Sequence, residues 1–449
     1  GMLLLAGFFA SCKDDEDPIK DLTVKIPPPL AGEYVIEQGQ SLEIPFTVGE
    51  AKNAELTATA TPDKTEYTVA ATLSASDPGS GVITVTAPDL ILSPVTVTIT
   101  LKVDDSKTQR SATGTVTVSS KLIDGFTEIT TPANCYIAAP GALVKFPANI
   151  GNTTEKAAFK TAELLWQDAA GLVEQLIAAP EENCVYAILK SGVSGNAVVA
   201  VKNADGAVVW SYHLWVADFD PDASVMTWTD ADGGVTYKMM DRYVGAVSNQ
   251  PGSDLSNGLF YQWGRKDPFA RNLTATRPGG KPYESTPSDL VKTEDATEAT
   301  GTIAYATRNP QTRLLAAKEW YTGTGGNDLL WGGTAEGSVK TVYDPCPEGY
   351  RVPEARHFAE MKFTSKAECD ANYGLLLAVD GEDTKSYFPT TGYLEANKAA
   401  TMYLEYRGYM WLNAGGDAEN RFYVNNSTVN IKNEPHAKGM AVRCVKIEQ

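Results

Sequence analysis

The clearest pattern along the chain is alternation of apolar and polar residues. Val95, Val97, Ile99, Leu101 and Val103 alternate with Thr96, Thr98, Thr100 and Lys102, the signature of a strand with one buried and one wet face. Leu42, Ile44, Phe46 and Val48 repeat it, as do Val116 and Val118. Pro45 falls inside the first of these runs and removes a ladder donor, which predicts an edge or bulged strand. Turn-forming residues such as Asp77-Pro78-Gly79-Ser80-Gly81 separate the runs. Residues 21–121 therefore read as an Ig-like β-sandwich, serving as a spacer or stalk.

Residues 122–222 form a second β-sandwich module. Asn196 to Val216 reads as two strands joined by a turn at Asp205-Gly206. In 155–179, Ala157, Ala158, Leu164, Leu165 and Leu172 fit a helix, but Gly171 and Pro180 break it and strands are favoured. His213 shares a strand face with Ser211 and Trp215 and is expected to be packed and hydrogen-bonded. From 223 to 449 the texture changes. Aromatics and Gly become frequent, strands shorten and loops such as 271–300 lengthen; Trp228, Trp263, Trp320, Trp331 and Trp411 all lie here. Such a domain is stabilised by a few large buried rings and a covalent staple. Pro353 followed by Glu354 to Met361 predicts a short helix with Phe358 and Met361 on its inner face.

Length and charge narrow the functional classes. The 449 residues suit about three domains of ~150 residues. Lys+Arg 38 against Asp+Glu 56 gives a net charge of −18, which repels phosphate backbones and argues against nucleic acid as a partner. Only three histidines occur, His213, His357 and His436, so acid–base and metal chemistry have few carriers. No HExxH, GxSxG, P-loop or strand-borne GxGxxG is present. No catalytic residue, metal or cofactor is expected. Asp230-Ala231-Asp232-Gly233-Gly234 looks like the start of an EF-hand loop, but Gly234 and Asp241 stand at its fifth and twelfth positions, so a tight turn is expected.

The beginning reads as an address. Residues 1–11 end in a short apolar run that meets Cys12, a lipoprotein signal peptide in part. Phe9-Ala10-Ser11-Cys12 resembles a bacterial lipobox, in which the cysteine is acylated and becomes the new N-terminus. No basic residue precedes the run, so the precursor is expected to begin further upstream. Residues 12–20 form an acidic tether. Within it, Lys13-Asp14-Asp15-Glu16-Asp17 resembles the export signal of Bacteroidota lipoproteins. That signal implies the cell outer membrane, lipid-anchored and facing the extracellular side. Five cysteines remain after Cys12: Cys135, Cys184, Cys346, Cys369 and Cys444. The count is odd, at least one thiol is unpaired, and spacing alone does not fix the pairing.

A set of ordered motifs carries a family resemblance. They are Met239-Met240-Asp241-Arg242, Gly258 through Phe269, Tyr343 through Pro353, Phe388 through Tyr393, Tyr409-Met410-Trp411 and Gly439 through Val445. This region resembles the Fibrobacter succinogenes major paralogous domain family, and residues 134–215 resemble the sandwich that often precedes it. The resemblance spans about 125–449. It implies an α+β C-type-lectin-like domain at 223–449; together with the two Ig-like β-sandwich modules before it, of which the first rests on the alternation alone, the chain is expected to be mainly β. The resemblance also implies a disulfide between Cys346 and Cys444, closing a loop that stabilises by ~4–5 kcal/mol. Some distant relatives of the fold use a reactive cysteine pair, but these two sit in motifs that hold the domain closed and read as structural. Cys135 and Cys184 are a second candidate pair, although Cys184 is not at a position expected to be fixed in the family. Calcium-dependent lectins of this fold use Glu-Pro-Asn or Gln-Pro-Asp with Trp-Asn-Asp; the nearest matches, Glu434-Pro435-His436 and Asn327-Asp328, lack the right ligands.

The layout implied is that of an adhesin: a tethered stalk presenting an aromatic-rich domain to a glycan or protein ligand. Trp320, Tyr321, Trp331 and Tyr409 are the candidate ligand-facing residues, with core packing the commoner role for such rings, and Trp263 and Trp411 are assigned to the core. The alternative is a structural tip or accessory subunit of a fimbria, with other fimbrial subunits as partners and assembly by β-strand addition. That alternative requires an N-terminal sandwich short of a strand.

Overall fold

The computed structural model describes residues 19–52, 54–89, 91, 95–121, 125–229, 235–270, 291–323, 328–333, 340–358, 361–363, 373–379, 385–415, 418–425 and 428–447. Cys12, the 13–17 acidic run, Cys369, Asn327 and residues 230–234, where a turn is expected, lie outside the described residues. The chain divides into two compact units between residues 124 and 125.

Among the described residues the first unit is a sandwich of eight strands: β1 (Thr23–Lys25), β2 (Tyr34–Glu37), β3 (Ser41–Gly49), β4 (Leu56–Pro62), β5 (Thr68–Leu73), β6 (Ser80–Thr86), β7 (Val95–Asp105) and β8 (Arg110–Lys121). They form the sheets β1-β3-β6-β5 and β2-β8-β7-β4. The alternating runs supply the core: Ile44, Phe46, Ile83, Val85, Val97, Ile99, Leu101 and Val103 are buried, and their threonine neighbours face outward or to the rim. Pro45 sits in β3 opposite Val82 of β6, while β1 covers only Thr47–Gly49 on the other side. The proline thus occupies a stretch paired on one side only, where its missing N–H costs no ladder bond. Gly81 is required by packing, since a Cβ there would collide with the Phe46 ring and the Thr72 carbonyl.

The second unit begins with another sandwich: β9 (Thr127–Glu128), β10 (Cys135–Ala138), β11 (Leu143–Pro147), β12 (Thr161–Gln167), β13 (Val173–Ala179), β14 (Cys184–Leu189), β15 (Gly195–Lys202) and β16 (Val208–Val216). Its sheets are β10-β16-β15-β12 and β13-β14-β11-β9. The ambiguous 155–179 region is two strands, with Gly171 at φ +70° in the connecting turn. The β15–β16 turn is held by Asn203, whose side-chain oxygen accepts from the N–H groups of Asp205 and Ala207, each at 3.0 Å.

The sandwich and the C-terminal region do not behave as separate bodies. β15 and β16 are buried on both faces through most of their length. Val199, Val201, Tyr212 and Leu214 fill the sandwich interior. Cys135, Trp166, Val198 and Trp215 instead join Trp263, Trp320, Trp331 and Trp411 in one continuous core. One sheet is therefore a shared wall, and the boundary expected at 222/223 is not a boundary in packing. Polar ties reinforce the wall. The Asn134 amide donates to the carbonyls of Val342 and Asp344 at 2.8 and 2.9 Å. The Lys266 ammonium donates to the Ser211 carbonyl at 2.9 Å and to Asp267 at 2.7 Å. Residues 223–449 expressed alone should aggregate because they expose this core, whereas 125–449 should be soluble and monomeric; size-exclusion chromatography of the two fragments distinguishes them.

Beyond residue 222 the strands are short. Val225–Thr229, Thr236–Met240, Val445–Lys446 and Tyr350–Arg351 form one sheet, joining the start of the region to its end. Arg407–Trp411, Arg421–Asn425 and Val429–Lys432 form another. Among the described residues the single α-helix is Ile303–Arg308, capped by the Thr302 hydroxyl, which accepts from the Tyr305 N–H at 3.1 Å. The helix expected after Pro353 is only a 3-10 turn, Ala355–Phe358, and Met361 opens a strand. The His357 imidazole accepts the Glu354 N–H at 3.0 Å, and Glu354 is engaged by Arg351 and Arg356. These side chains stabilise a single tight turn.

Candidate functional site

The family motifs are built around buried polar anchors. Cys346 and Cys444 are disulfide-bonded and fully buried, with a Cα–Cα distance of 5.9 Å, as the resemblance implies. Asp344, two residues earlier, accepts from Lys340 Nζ at 2.7 Å, the Cys346 N–H at 2.8 Å and the Val352 N–H at 3.0 Å. Arg443, next to Cys444, donates to the carbonyls of Met240 at 2.6 Å and Tyr387 at 2.8 Å and stacks on Phe388. Burial lowers its pKa to about 10. Arg265 donates to the carbonyls of Thr312, Ala306 and Asn309, taking up carbonyls at the end of the Ile303–Arg308 helix. These arginines satisfy backbone acceptors in the core, so the motifs encode architecture.

Cys135 and Cys184 are not bridged; both are buried free thiols. They belong to opposite sheets, and Cys135 points into the core shared with the C-terminal region. There Cys135 Sγ lies 3.4 Å from His213 Nδ1, and His213 Nε2 lies 2.9 Å from Asn196 Oδ1. The order thiol, imidazole, amide matches the arrangement of an activated nucleophile. Its electrostatics do not. Burial pushes the Cys135 thiol well above its usual range and lowers His213 to about 3. A neutral thiol beside a neutral imidazole, with the sulfur enclosed, is a packing element rather than a nucleophile.

The structure corrects three of the four ligand-facing expectations. Trp320 is 1% exposed, Trp331 is 0% and Tyr409 is 5%. The indole N–H of Trp320 donates to the Trp263 carbonyl at 2.8 Å, and that of Trp331 to the Tyr343 carbonyl at 3.0 Å. Each ring thus has its polar atom satisfied inside the domain. Tyr321 is half-buried, edge-on to Trp320 at 6.0 Å. Trp263 and Trp411 are in the core as expected. Of the calcium-lectin approximations, Glu434 pairs with Arg421 and Lys438. His436 is buried against Trp263, with Nδ1 2.8 Å from Glu319.

What the fold assembles around Tyr409 is a tyrosine array that the sequence reading missed. Tyr393 and Tyr423 stand edge-on to Tyr409 at 4.7 and 5.2 Å, and Tyr403 lies 6.0 Å from Tyr393. Cations interleave: Arg407 over Tyr403 at 3.9 Å, Lys438 over Tyr393 at 4.3 Å and Arg421 over Tyr423 at 5.1 Å. Arg421 also donates to Asn430 at 2.6 Å, and its buried Nε has no partner among the described residues. The array opens to solvent at one turn, where Tyr403 is 42% and Tyr406 69% exposed. Tyr403 and Glu405 adopt φ +56° and +66°, backbone that non-glycine residues rarely hold. The turn is fixed from below: Glu405 N–H donates to the Thr390 carbonyl at 2.8 Å and Gly392 N–H to the Arg407 carbonyl at 2.7 Å. Gly392 itself has φ +66°, and a Cβ there would collide with the Met402 carbonyl. Burial raises the phenol pKa of Tyr393 and Tyr409, so these rings stay neutral through the physiological range. The signal was present in the sequence as Tyr403, Tyr406 and Tyr409, three tyrosines in seven residues around Arg407.

No family model matches the chain, and no curated protein matches it. Among solved structures it is similar to the D00-D0 domain of intimin, at 14% identity over 44% of this chain and 100% of that one, with a TM-score of 0.18. An I67-I69 I-band fragment of titin is 13% identical over 44% of this chain and 66% of that one, TM-score 0.16. InvD of Yersinia pseudotuberculosis is 16% identical over 50% and 66%, TM-score 0.16. At these TM-scores the likenesses carry no argument about the function of this chain.

Proposed function

We propose that this chain is a non-catalytic recognition protein, anchored to the outer face of the outer membrane through acylated Cys12. Its C-terminal region, read as a C-type-lectin-like major paralogous domain, binds a glycan or protein ligand over Tyr403, Tyr406 and Arg407. One observation carries this reading: two exposed tyrosines on a strained but tightly tethered turn, backed by a cation–aromatic array. Large exposed rings on a preorganised frame lose little freedom on binding. A sugar C–H face stacks on such rings while arginine and amide groups take its hydroxyls. The buried Cys346–Cys444 disulfide supports residence in an oxidising compartment.

A glycan array probed with the full chain tests the binding. Tyr406→Ala and Tyr403→Ala should each weaken any captured glycan by roughly tenfold, the equivalent of ~1.4 kcal/mol, and Tyr406→Ala should do so without changing the melting temperature. Unchanged binding in both variants would move the site elsewhere. Mass spectrometry of native material tests the anchor, with acyl chains on Cys12 expected and an unmodified thiol counting against it. The fimbrial alternative needs an N-terminal sandwich with an open core. Among the described residues eight strands cover that core in the first unit, which supports the binding reading over the fimbrial one.

A further inference from the structure

Among the described residues β10 is the outer strand of its sheet, paired only with β16. The N–H of His213 donates to the Asn134 carbonyl at 2.8 Å, and that of Ala217 to the Ala138 carbonyl at 2.9 Å. In a parallel ladder alternate residues bond to the same neighbour. Asn134, Tyr136 and Ala138 therefore serve β16, and the N–H and C=O groups of Cys135 and Ile137 turn to the other edge, where no described strand pairs; Cys135 is buried, so Ile137 is the residue that presents these groups at the surface. A groove of about 600 Å³ runs beside that edge. Ile129, Ile137, Phe219 and Pro347 give it apolar walls, and three carboxylates, Asp220, Asp222 and Glu348, line it. Asp222 is engaged by Lys446 at 2.5 Å and by the Tyr350 hydroxyl at 2.7 Å. Among the described residues, Asp220 and Glu348 have no cation within ion-pair distance, so the groove is left acidic.

We infer that this groove receives an extended segment of another polypeptide carrying Lys or Arg. The segment adds to the sheet beside β10, and Asp220 and Glu348 meet its cation. Main-chain bonds to Ile137 supply the pairing, the apolar walls take alternate side chains, and the carboxylates select the charge. This site is separate from the tyrosine turn and does not depend on it.

The test uses the full chain and two fluorescein-labelled, capped heptapeptides, one alternating Val and Arg, the other alternating Val and Glu. Anisotropy should show saturable binding of the Arg peptide only, weakened by added salt. Reversal of both carboxylates, Asp220→Lys with Glu348→Lys, should weaken it by about tenfold or more. Ile137→Pro removes an outward donor while leaving the bonds to β16 in place, and it should abolish binding. Hydrogen exchange at the Ile137 amide should slow when the Arg peptide is added to the unmutated chain. If Ile137→Pro disturbs folding, judged by tryptophan fluorescence, the exchange measurement and the charge reversal decide. Equal binding of both peptides, no binding of either, or an Ile137 amide indifferent to peptide overturns the inference. A dimer in ultracentrifugation that Ile137→Pro dissociates would make a second copy the occupant and overturn it as well.

Discussion

Replacing Cys346 and Cys444 together by alanine should lower the stability of the 125–449 unit by about 4–5 kcal/mol. The bond spans a sequence separation of 98 residues, and its loss returns that loop's freedom to the unfolded chain. For a unit of this size the melting temperature should fall by on the order of 10 °C. The effect is confined to one unit. Every tryptophan of the chain lies after residue 125, so tryptophan fluorescence reports this unit alone, while circular dichroism also follows the first sandwich. The first sandwich should melt as before. A double variant whose fluorescence transition coincides with the parent's would show that the Asp344 and Arg443 anchors hold the domain closed without the covalent bond.

Acidification from about pH 7.5 to about pH 5 should be the second large perturbation, again in the same unit. Burial lowers His213 to about 3, and burial with nearby Arg356 and Arg351 lowers His357 to about 4. In the unfolded chain an imidazole titrates near ~6.5. Above that value both states carry neutral rings and there is no penalty. Below it the unfolded state binds protons that the folded state refuses, so stability falls as pH falls. Each ring should contribute up to about 2 kcal/mol by about pH 5. Asp105 and Asp222 have lowered pKa values; they are ionised in both states over this window and add no slope. Urea unfolding followed by tryptophan fluorescence should show the midpoint dropping, and His213→Gln should remove about half of the pH dependence. A midpoint independent of pH would mean that the buried rings accept protons after all.

How much of this was legible beforehand depends on what each residue pattern can encode. The alternation in Val95–Val103 specifies one wet and one dry face, and β7 follows it residue by residue. The run Ala197-Val198-Val199-Ala200-Val201 has no wet face at all, which is what burial from both sides looks like. The run by itself still specifies only a strand, because a strand does not say what covers its second face. The tryptophans fail for a different reason. A Trp side chain is equally at home in a core and under a ligand, and the difference lies in whether its N–H finds a carbonyl at long range, as Trp320 does at Trp263. The tyrosine array was hidden because its members come from three strands and a turn. The cysteines were readable where a motif surrounded them and unreadable at Cys135 and Cys184, whose side chains follow sheet geometry.

The pairing of β2 with β8 in the first unit has a mechanical consequence. The strands run parallel, from Tyr34 opposite Val118 to Glu37 opposite Lys121, yet one is near the start of the unit and the other at its end. Tension applied to the two chain ends draws these strands past each other lengthwise, and the bonds between them share the load instead of opening one by one. Stretched by flow or by a moving surface, the unit resists as a clasp resists sliding, and it would yield far more easily if the same strands were peeled from one end.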